Sequence, residues 1–251
     1  LMFDYLRGYS RVDLILKEQE ALNAEEKEFL NQALLRLIGG EPIQYVLGKT
    51  EFLGFTFKVD KRVLIPRPET EELVEWIVSE THDSHCRILD IGTGSGCIAV
   101  TLKKLIPRAE VESWDVSEGA LQLAAENAGL NKAEVSFRHR DVLLYQPSGE
   151  AVFDVVVSNP PYVRESEKAE MAINVLDHEP SLALFVPDQD PLRFYRAIAQ
   201  ISKKLLKKGG RLYFEINRSY GKEMEQLLLS EGFVEVVLRC DLSGNDRMIR
   251  A

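Results

Sequence analysis

From residue 87 onward the chain alternates short apolar runs with stretches of helical period, and this alternation leaves few architectures open. Residues 87–91, 110–114, 135–138, 153–157 and 212–216 read as strands. Residues 97–105, 117–127, 190–206 and 220–230 carry apolar side chains at helical spacing, with Gly129 beyond the second and Gly209-Gly210 as a stop for the third. Strands that alternate with helices build a parallel sheet covered on both faces. The last two runs, 233–238 and 247–249, are joined by Ser243-Gly244-Asn245-Asp246, which predicts a hairpin and one antiparallel strand. The expected fold class is α/β, a doubly wound, seven-stranded, mostly parallel sheet.

Open sheets of this kind bind ligands beyond the carboxyl ends of their strands. Run 153–157 ends in Ser158-Asn159-Pro160-Pro161-Tyr162. The two prolines fix φ, donate no hydrogen bond and hold their predecessors extended. Asn159 and Tyr162 are therefore expected on a stiff loop. The Asn159 side-chain oxygen and the Pro160 carbonyl can accept both hydrogens of an NH2 group, and Tyr162 can lie against a planar one. A proline-rich turn that only ends a strand has the same composition.

The turn Gly92-Thr93-Gly94-Ser95-Gly96 follows the 87–91 strand and opens a helix, so its backbone can approach a ligand closely. Asp115 lies at the end of the next strand, where an acid takes ribose hydroxyls. The glycine spacing is not G-x-G-x-x-G, and Asp90 stands just before it. An acid there repels a phosphate and suits an ammonium, so S-adenosylmethionine is favoured over a nicotinamide cofactor. Asp141 and Val142 follow the third strand, where an adenine would lie. Asp141 can accept from the adenine amine or cap a turn, and Val142 can cover a ring face.

Residues 1–47 repeat apolar positions at three and four, with Asn23 as an N-cap and Gly39-Gly40 as a stop. Arg7, Arg11 and Lys17 there form either a docking surface or a solvated helix face. Residues 50–65 change to strand period, predicting a hairpin around Asp60-Lys61. The expected division is a helical segment over 1–48 that is incomplete at its start, a β-hairpin linker over 49–66 and a catalytic domain over 67–251. No leader or membrane span is expected. The net charge of −9 argues against a broad grip on nucleic acid. Cys86, Cys97 and Cys240 match no zinc spacing, so no metal site is expected and a cytoplasmic setting is the simplest reading.

Leu89-Asp90-Ile91-Gly92-Thr93-Gly94-Ser95-Gly96 resembles the first motif of class I, Rossmann-like S-adenosylmethionine-dependent methyltransferases, and Asn159-Pro160-Pro161-Tyr162 resembles their amide- and amine-methylating branch. Gly40-Glu41-Pro42-Ile43-Gln44-Tyr45, Ile65-Pro66-Arg67-Pro68-Glu69-Thr70-Glu71 and Gly209-Gly210-x-Leu212-x-Phe214-Glu215 are similar to segments of the HemK/PrmC family. That resemblance covers nearly the whole chain. It implies a protein-(glutamine-N5) methyltransferase that acts on the Gly-Gly-Gln motif of peptide chain release factors and yields S-adenosylhomocysteine. It assigns Gly92, Gly94, Gly96 and Asp115 to the cofactor, and Asn159 with the proline loop to the glutamine. The expected site is thus Asn159, Pro160 and Tyr162 for catalysis, with Pro161 joining them in binding substrate. Asp90, Gly92, Thr93, Gly94, Ser95, Gly96, Asp115, Asp141, Val142 and Asn159 are expected to touch the cofactor. A nucleic-acid adenine-N6 or guanine-N2 methyltransferase would use the same grip, and a non-catalytic cofactor-binding scaffold is a third reading.

Overall fold

The computed structural model describes residues 1–81 and 85–251. Four helices come first: α1 (Met2–Arg7), α2 (Arg11–Leu16), α3 (Ala24–Ile38) and α4 (Ile43–Leu47). A small antiparallel hairpin follows, β1 (Lys49–Phe52) and β2 (Phe55–Lys58). Helix α5 (Pro68–Thr81) leads to β3 (Arg87–Ile91), α6 (Cys97–Leu105), β4 (Glu110–Asp115), α7 (Glu118–Leu130), β5 (Val135–His139) and β6 (Phe153–Ser158). Two short strands, β7 (Val163–Arg164) and β8 (Phe185–Val186), enclose a 3-10 turn and the short helices α8 (Ile173–His178) and α9 (Ser181–Leu184). The chain closes with α10 (Arg193–Leu205), β9 (Leu206–Glu215), α11 (Gly221–Ser230), β10 (Val237–Cys240) and β11 (Asp246–Arg250).

The main sheet has the order β10-β11-β9-β6-β3-β4-β5. Pairs β3–β4, β3–β6, β4–β5 and β6–β9 are parallel, while β11 runs antiparallel to β9 and to β10. The chain adds strands to one side of β3, then returns to its other side with β6. That reversal opens a crevice at the carboxyl ends of β3 and β6. The glycine turn and the proline loop both lie there.

Strand period divides the core into two layers. Ile88, Val155, Val157, Tyr213 and Met248 face α5 and α6. Leu89, Ile91, Val156, Leu212, Phe214 and Ile249 face α10 and α11. Neighbours in sequence fall on opposite faces, as the pleat requires. A third, smaller cluster joins Tyr45, Val59, Val63 and Ile65 to Ala120 and Leu123 of α7.

Three boundaries differ from the sequence reading. The hairpin turns at Leu53-Gly54, both with positive φ, and 63–65 is not a strand. Two central residues with positive φ match the twist of a tight hairpin, which Asp60-Lys61 does not supply. Instead, Asp60 accepts from the backbone and side chain of Arg62. Gly209-Gly210 does not end a helix but lies inside β9, where the register slips from Phe153 facing Leu206 to Val155 facing Arg211. A Cβ at Gly210 would meet the Asp154 carbonyl oxygen at 3.1 Å, so the bulge needs glycine. Gly129 lies within the last turn of α7, which continues to Leu130.

In the helical segment the N-cap holds: Asn23 and Glu26 form a reciprocal capping box. Arg7 does not present a free cation, since both carboxylate oxygens of Glu26 accept from it at 2.6 Å. Lys17 pairs with Asp13 at 3.1 Å and lies over the Tyr9 ring. Arg11 is exposed. Tyr45 fastens α4 to the connection before α5 by donating to the Val63 carbonyl at 2.5 Å.

Candidate active site

A cavity of about 270 Å³ occupies the crevice at the carboxyl ends of β3, β4 and β6. Its floor is the turn Gly92–Ser95, and one wall is Asn159-Pro160-Pro161. Ile65, Pro66 and Arg67 form part of its wall, as do Pro180, Leu182 and Ala183. A larger hollow of about 610 Å³, by Arg87, Glu110 and Val135 at the opposite strand ends, contains none of the loop residues.

The glycines of the turn do different things. Gly94 has φ +52, and no atom lies within 4 Å of the place a Cβ would take, so bare backbone faces open space. Gly96 has φ +82, and a Cβ there would meet the Ala124 Cβ at 3.1 Å. Gly96 therefore sets how closely α6 approaches α7, and it is not a wall of the cavity.

Asp115 holds the turn from the end of β4. Its Oδ2 accepts from Gly94 N at 2.9 Å and its Oδ1 from Ser117 N at 2.8 Å. Burial pushes its carboxyl upward, while the backbone N–H groups of Ser117 and Gly94 pull it down. Each oxygen keeps a lone pair, and Asp115 lines the cavity. Asp141 both caps a turn, its Oδ1 accepting from Leu143 N at 2.8 Å, and lines the cavity with Val142.

Asp90 lies beneath the turn, fully buried and off the cavity wall. Ser113 donates to its Oδ2 at 2.9 Å, and its Oδ1 has no hydrogen-bond partner. Burial raises its carboxyl from the ordinary range to about 7, against the hydrogen bond from Ser113.

On the proline loop, Asn159 is half-buried and Pro160 buried, and both face the cavity. Tyr162 lies outside the wall, with its hydroxyl donating to Glu215 Oε1 at 3.2 Å. Burial, and then the charge of Glu215, raises the tyrosine's pKa.

Residues without an assigned role in the sequence reading complete the site. Asn159 Nδ2 donates to Thr70 Oγ1 at 3.3 Å, and Thr70 Oγ1 donates to Glu215 Oε2 at 2.5 Å. Asn127, fully buried, donates from Nδ2 to the carbonyls of Ser95 and Lys58 and accepts Lys58 N at its Oδ1. It thus joins the hairpin to the glycine turn. The guanidinium of Arg140 lies over the rings of Trp114 and Tyr145 at the edge of the cavity.

These groups suit a nucleoside, while Asp90, the acid that favoured an ammonium over a phosphate in the sequence, does not reach the cavity. Uncovered backbone at Gly94 admits close approach, Asp115 offers acceptors for hydroxyls, and Val142 and Val116 supply apolar wall.

Residues 69–181 match the methyltransferase small domain, and residues 1–48 match the PrmC N-terminal domain. The release factor glutamine methyltransferase of Bacteroides thetaiotaomicron is 48% identical over 244 residues, covering 97% of this chain and 87% of that protein. This chain belongs to the release factor glutamine methyltransferase family. The family's protein from Flavobacterium psychrophilum is also 48% identical, covering 100% of this chain and 89% of its own length. Among solved structures, the ribosomal protein L11 methylase of Lactobacillus delbrueckii subsp. bulgaricus has the same fold. It matches with TM-score 0.53 at 20% identity, over 74% of this chain and 79% of that one. Membership of the release factor glutamine methyltransferase family makes the chain an enzyme that transfers methyl groups, which removes the scaffold reading. None of its described helices is long and apolar enough to cross a membrane.

Proposed function

We propose that this chain methylates the side-chain amide nitrogen, N5, of the glutamine in the Gly-Gly-Gln motif of peptide chain release factors. The observation that carries the reading is the placement of Asn159 and Pro160, two acceptors on one stiff wall, beside the glycine turn in a single cavity. The names of relatives 48% identical over nearly the whole chain support the choice of substrate. Residues 1–48 form a helical domain, 49–66 a linker, and 67–251 the catalytic domain. The setting is cytoplasmic, and docking on the release factor is by protein contacts without direct nucleic acid.

The residues that would hold S-adenosylmethionine are the turn Gly92–Ser95, Asp115, Asp141, Val142 and Asn159. Asp90 and Gly96 support that turn from below and behind. When bound, S-adenosylmethionine supplies a methyl group on a sulfonium sulfur and leaves as S-adenosylhomocysteine.

An amide nitrogen is a weak nucleophile because its lone pair is conjugated with the carbonyl. The protein's task is therefore positioning. The Asn159 side-chain oxygen and the Pro160 carbonyl accept the two N–H bonds of the glutamine, which orients its nitrogen and favours a more pyramidal form. The same acceptors stabilise positive charge that develops on nitrogen. Proline at 160 and 161 removes donors that would compete for those oxygens. Tyr162 holds the far end of the loop through Glu215. Loss of the extra proton runs through Asn159 to solvent.

The test is incubation with radiolabelled S-adenosylmethionine and a purified release factor, intact or with its Gly-Gly-Gln glutamine changed to alanine. Duplex DNA and RNA run as parallel substrates. Label on the intact factor alone is the expected result; label on nucleic acid overturns the reading.

A further inference from the structure

A primary amide has two ends of opposite character, an acceptor oxygen and a donor NH2, related by a half-turn of the side chain. Which end of Asn159 faces the cavity decides what the site can bind. An inward oxygen receives an N–H group, and an inward NH2 receives a carboxylate or a carbonyl. Van der Waals shape does not distinguish the two, so hydrogen bonds must.

Three bonds run behind Asn159. Its Nδ2 donates to Thr70 Oγ1 at 3.3 Å, Thr70 Oγ1 donates to Glu215 Oε2 at 2.5 Å, and Tyr162 OH donates to Glu215 Oε1 at 3.2 Å. Thr70 and Glu215 are buried, so water does not substitute for these partners. Burial raises the Glu215 carboxyl above its ordinary range, while the Thr70 hydroxyl, the charge of Arg247 and the Tyr162 hydroxyl pull it down. In its ionised form the carboxylate only accepts. Each Glu215 oxygen takes one hydroxyl proton, and Thr70 is left with lone pairs alone to offer Asn159. The polarity of the whole chain of bonds is thus set at Glu215.

We propose that Glu215, acting through Thr70, is a positioning residue that locks the Asn159 amide with its oxygen toward the cavity, so that the site selects an NH2-bearing side chain and rejects a carboxylate. The inference rests on the reading that Asn159 receives the substrate amide. Thr70 and Glu215 come from elements far apart in the chain, the first turn of α5 and the end of β9. The charge of Arg247 on β11 lowers the Glu215 pKa from a distance, while its own ion-pair partner is Asp241 at 3.2 Å. Glu69 faces Glu215 from α5 with a like charge, and Tyr195 donates to the Glu215 backbone carbonyl.

The test uses the full chain with three substitutions. Thr70→Val keeps the shape and removes the hydroxyl, Thr70→Ser restores it, and Glu215→Gln can accept from only one of the two hydroxyls. Three readouts are taken: kcat and KM with a release factor, S-adenosylmethionine affinity by calorimetry, and the Asn159 side-chain NH2 signals by nitrogen-15 NMR without substrate. Thr70→Val is expected to lower kcat about 30-fold, the size of one misdirected buried hydrogen bond, with cofactor affinity within twofold. Its Asn159 signals move toward those of a free amide. Thr70→Ser returns kcat to within about threefold of the parent, and Glu215→Gln falls between. Discrimination in binding between the intact factor and one with glutamine changed to glutamate also narrows in Thr70→Val. Unmoved Asn159 signals in Thr70→Val overturn the lock, as does equal loss in Thr70→Val and Thr70→Ser. A parent protein that methylates no release factor refutes the substrate reading, while the NMR signals still decide the lock.

Discussion

At the scale of single residues, Asn159 and Asp90 show how little the residue type says without its surroundings. Asn159 is half-buried at the cavity wall, where its nitrogen is held by Thr70. Asn159→Ala should lower kcat by about 100-fold or more, the size of losing a preorganised acceptor aimed at developing charge. S-adenosylmethionine affinity, measured by calorimetry, should fall far less, by about tenfold at most, the size of one hydrogen bond among several cofactor contacts. Equal losses in both would remove the assigned role. Asp90 is fully buried and its carboxyl is raised from 3.8 to about 7 by desolvation. A raised folded-state pKa means that the native state binds a proton more tightly than the unfolded chain. This contribution to stability is complete below about 3.8 and is lost as the pH rises through about 7. Relative to Asp90→Asn, which does not titrate, the parent should be more stable at pH 5 than at pH 8.5. Urea unfolding of both proteins at the two pH values measures this, and a pH-independent difference would show that Asp90 has an ordinary pKa.

At the scale of elements, the glycine turn is held by neighbours distant in sequence as well as by its own residues. Asn127 on α7 reaches both the Ser95 carbonyl and the backbone of Lys58 in the hairpin. Asn127→Ala leaves those buried groups unpaired and should cost about 3 kcal/mol of stability. S-adenosylmethionine affinity should weaken with it, because the turn loses a support. Unfolding midpoints and calorimetry on the same samples check both, and an unchanged affinity would show that Asp115 alone holds the turn. None of this was legible in the sequence, where Asn127 looked like the end of a helix. Glu215 and Thr70 stood inside segments similar to those of a known family, yet no periodicity connects an α5 side chain to the end of β9. The hairpin turn was misplaced because Asp60-Lys61 has more turn character by composition than Leu53-Gly54. The two-residue strands β7 and β8 are too short to carry a period, and they pair because they meet in space.

At the scale of the molecule, burial is very uneven. Within α1 to α3 only Ala33 is buried, whereas β3 and β6 are almost wholly buried. The helical segment is tied down mainly by α4, through the Tyr45 bond to Val63, and by Arg36 bonds to the Tyr45 and Val46 carbonyls. Elements with few buried contacts open locally before the whole protein unfolds. Amides of residues 2–38 should therefore exchange with deuterium at least about tenfold faster than those of β3, β6 and β9. Mass spectrometry of peptic peptides reads this directly, and equal protection would mean that the segment folds and unfolds with the sheet.

Local pattern is enough to specify the alternation of strand and helix, the mostly parallel sheet, and the two loops that carry the chemistry. Apolar period, glycine and proline act over a few residues, and those few residues are printed next to one another. Local pattern also places Asp115, Asp141, Val142, Asn159 and Pro160 on strand ends, and all five line the cavity. Packing, not local pattern, puts Asp90 and Gly96 behind the turn, directs Tyr162 to Glu215, and sets Thr70 and Asn127 to brace the two loops. Those facts depend on which strand returns beside β3 and which side chains meet there. Hydrogen bonds between residues tens of positions apart leave no local trace, because each partner alone is an ordinary polar residue in an ordinary element.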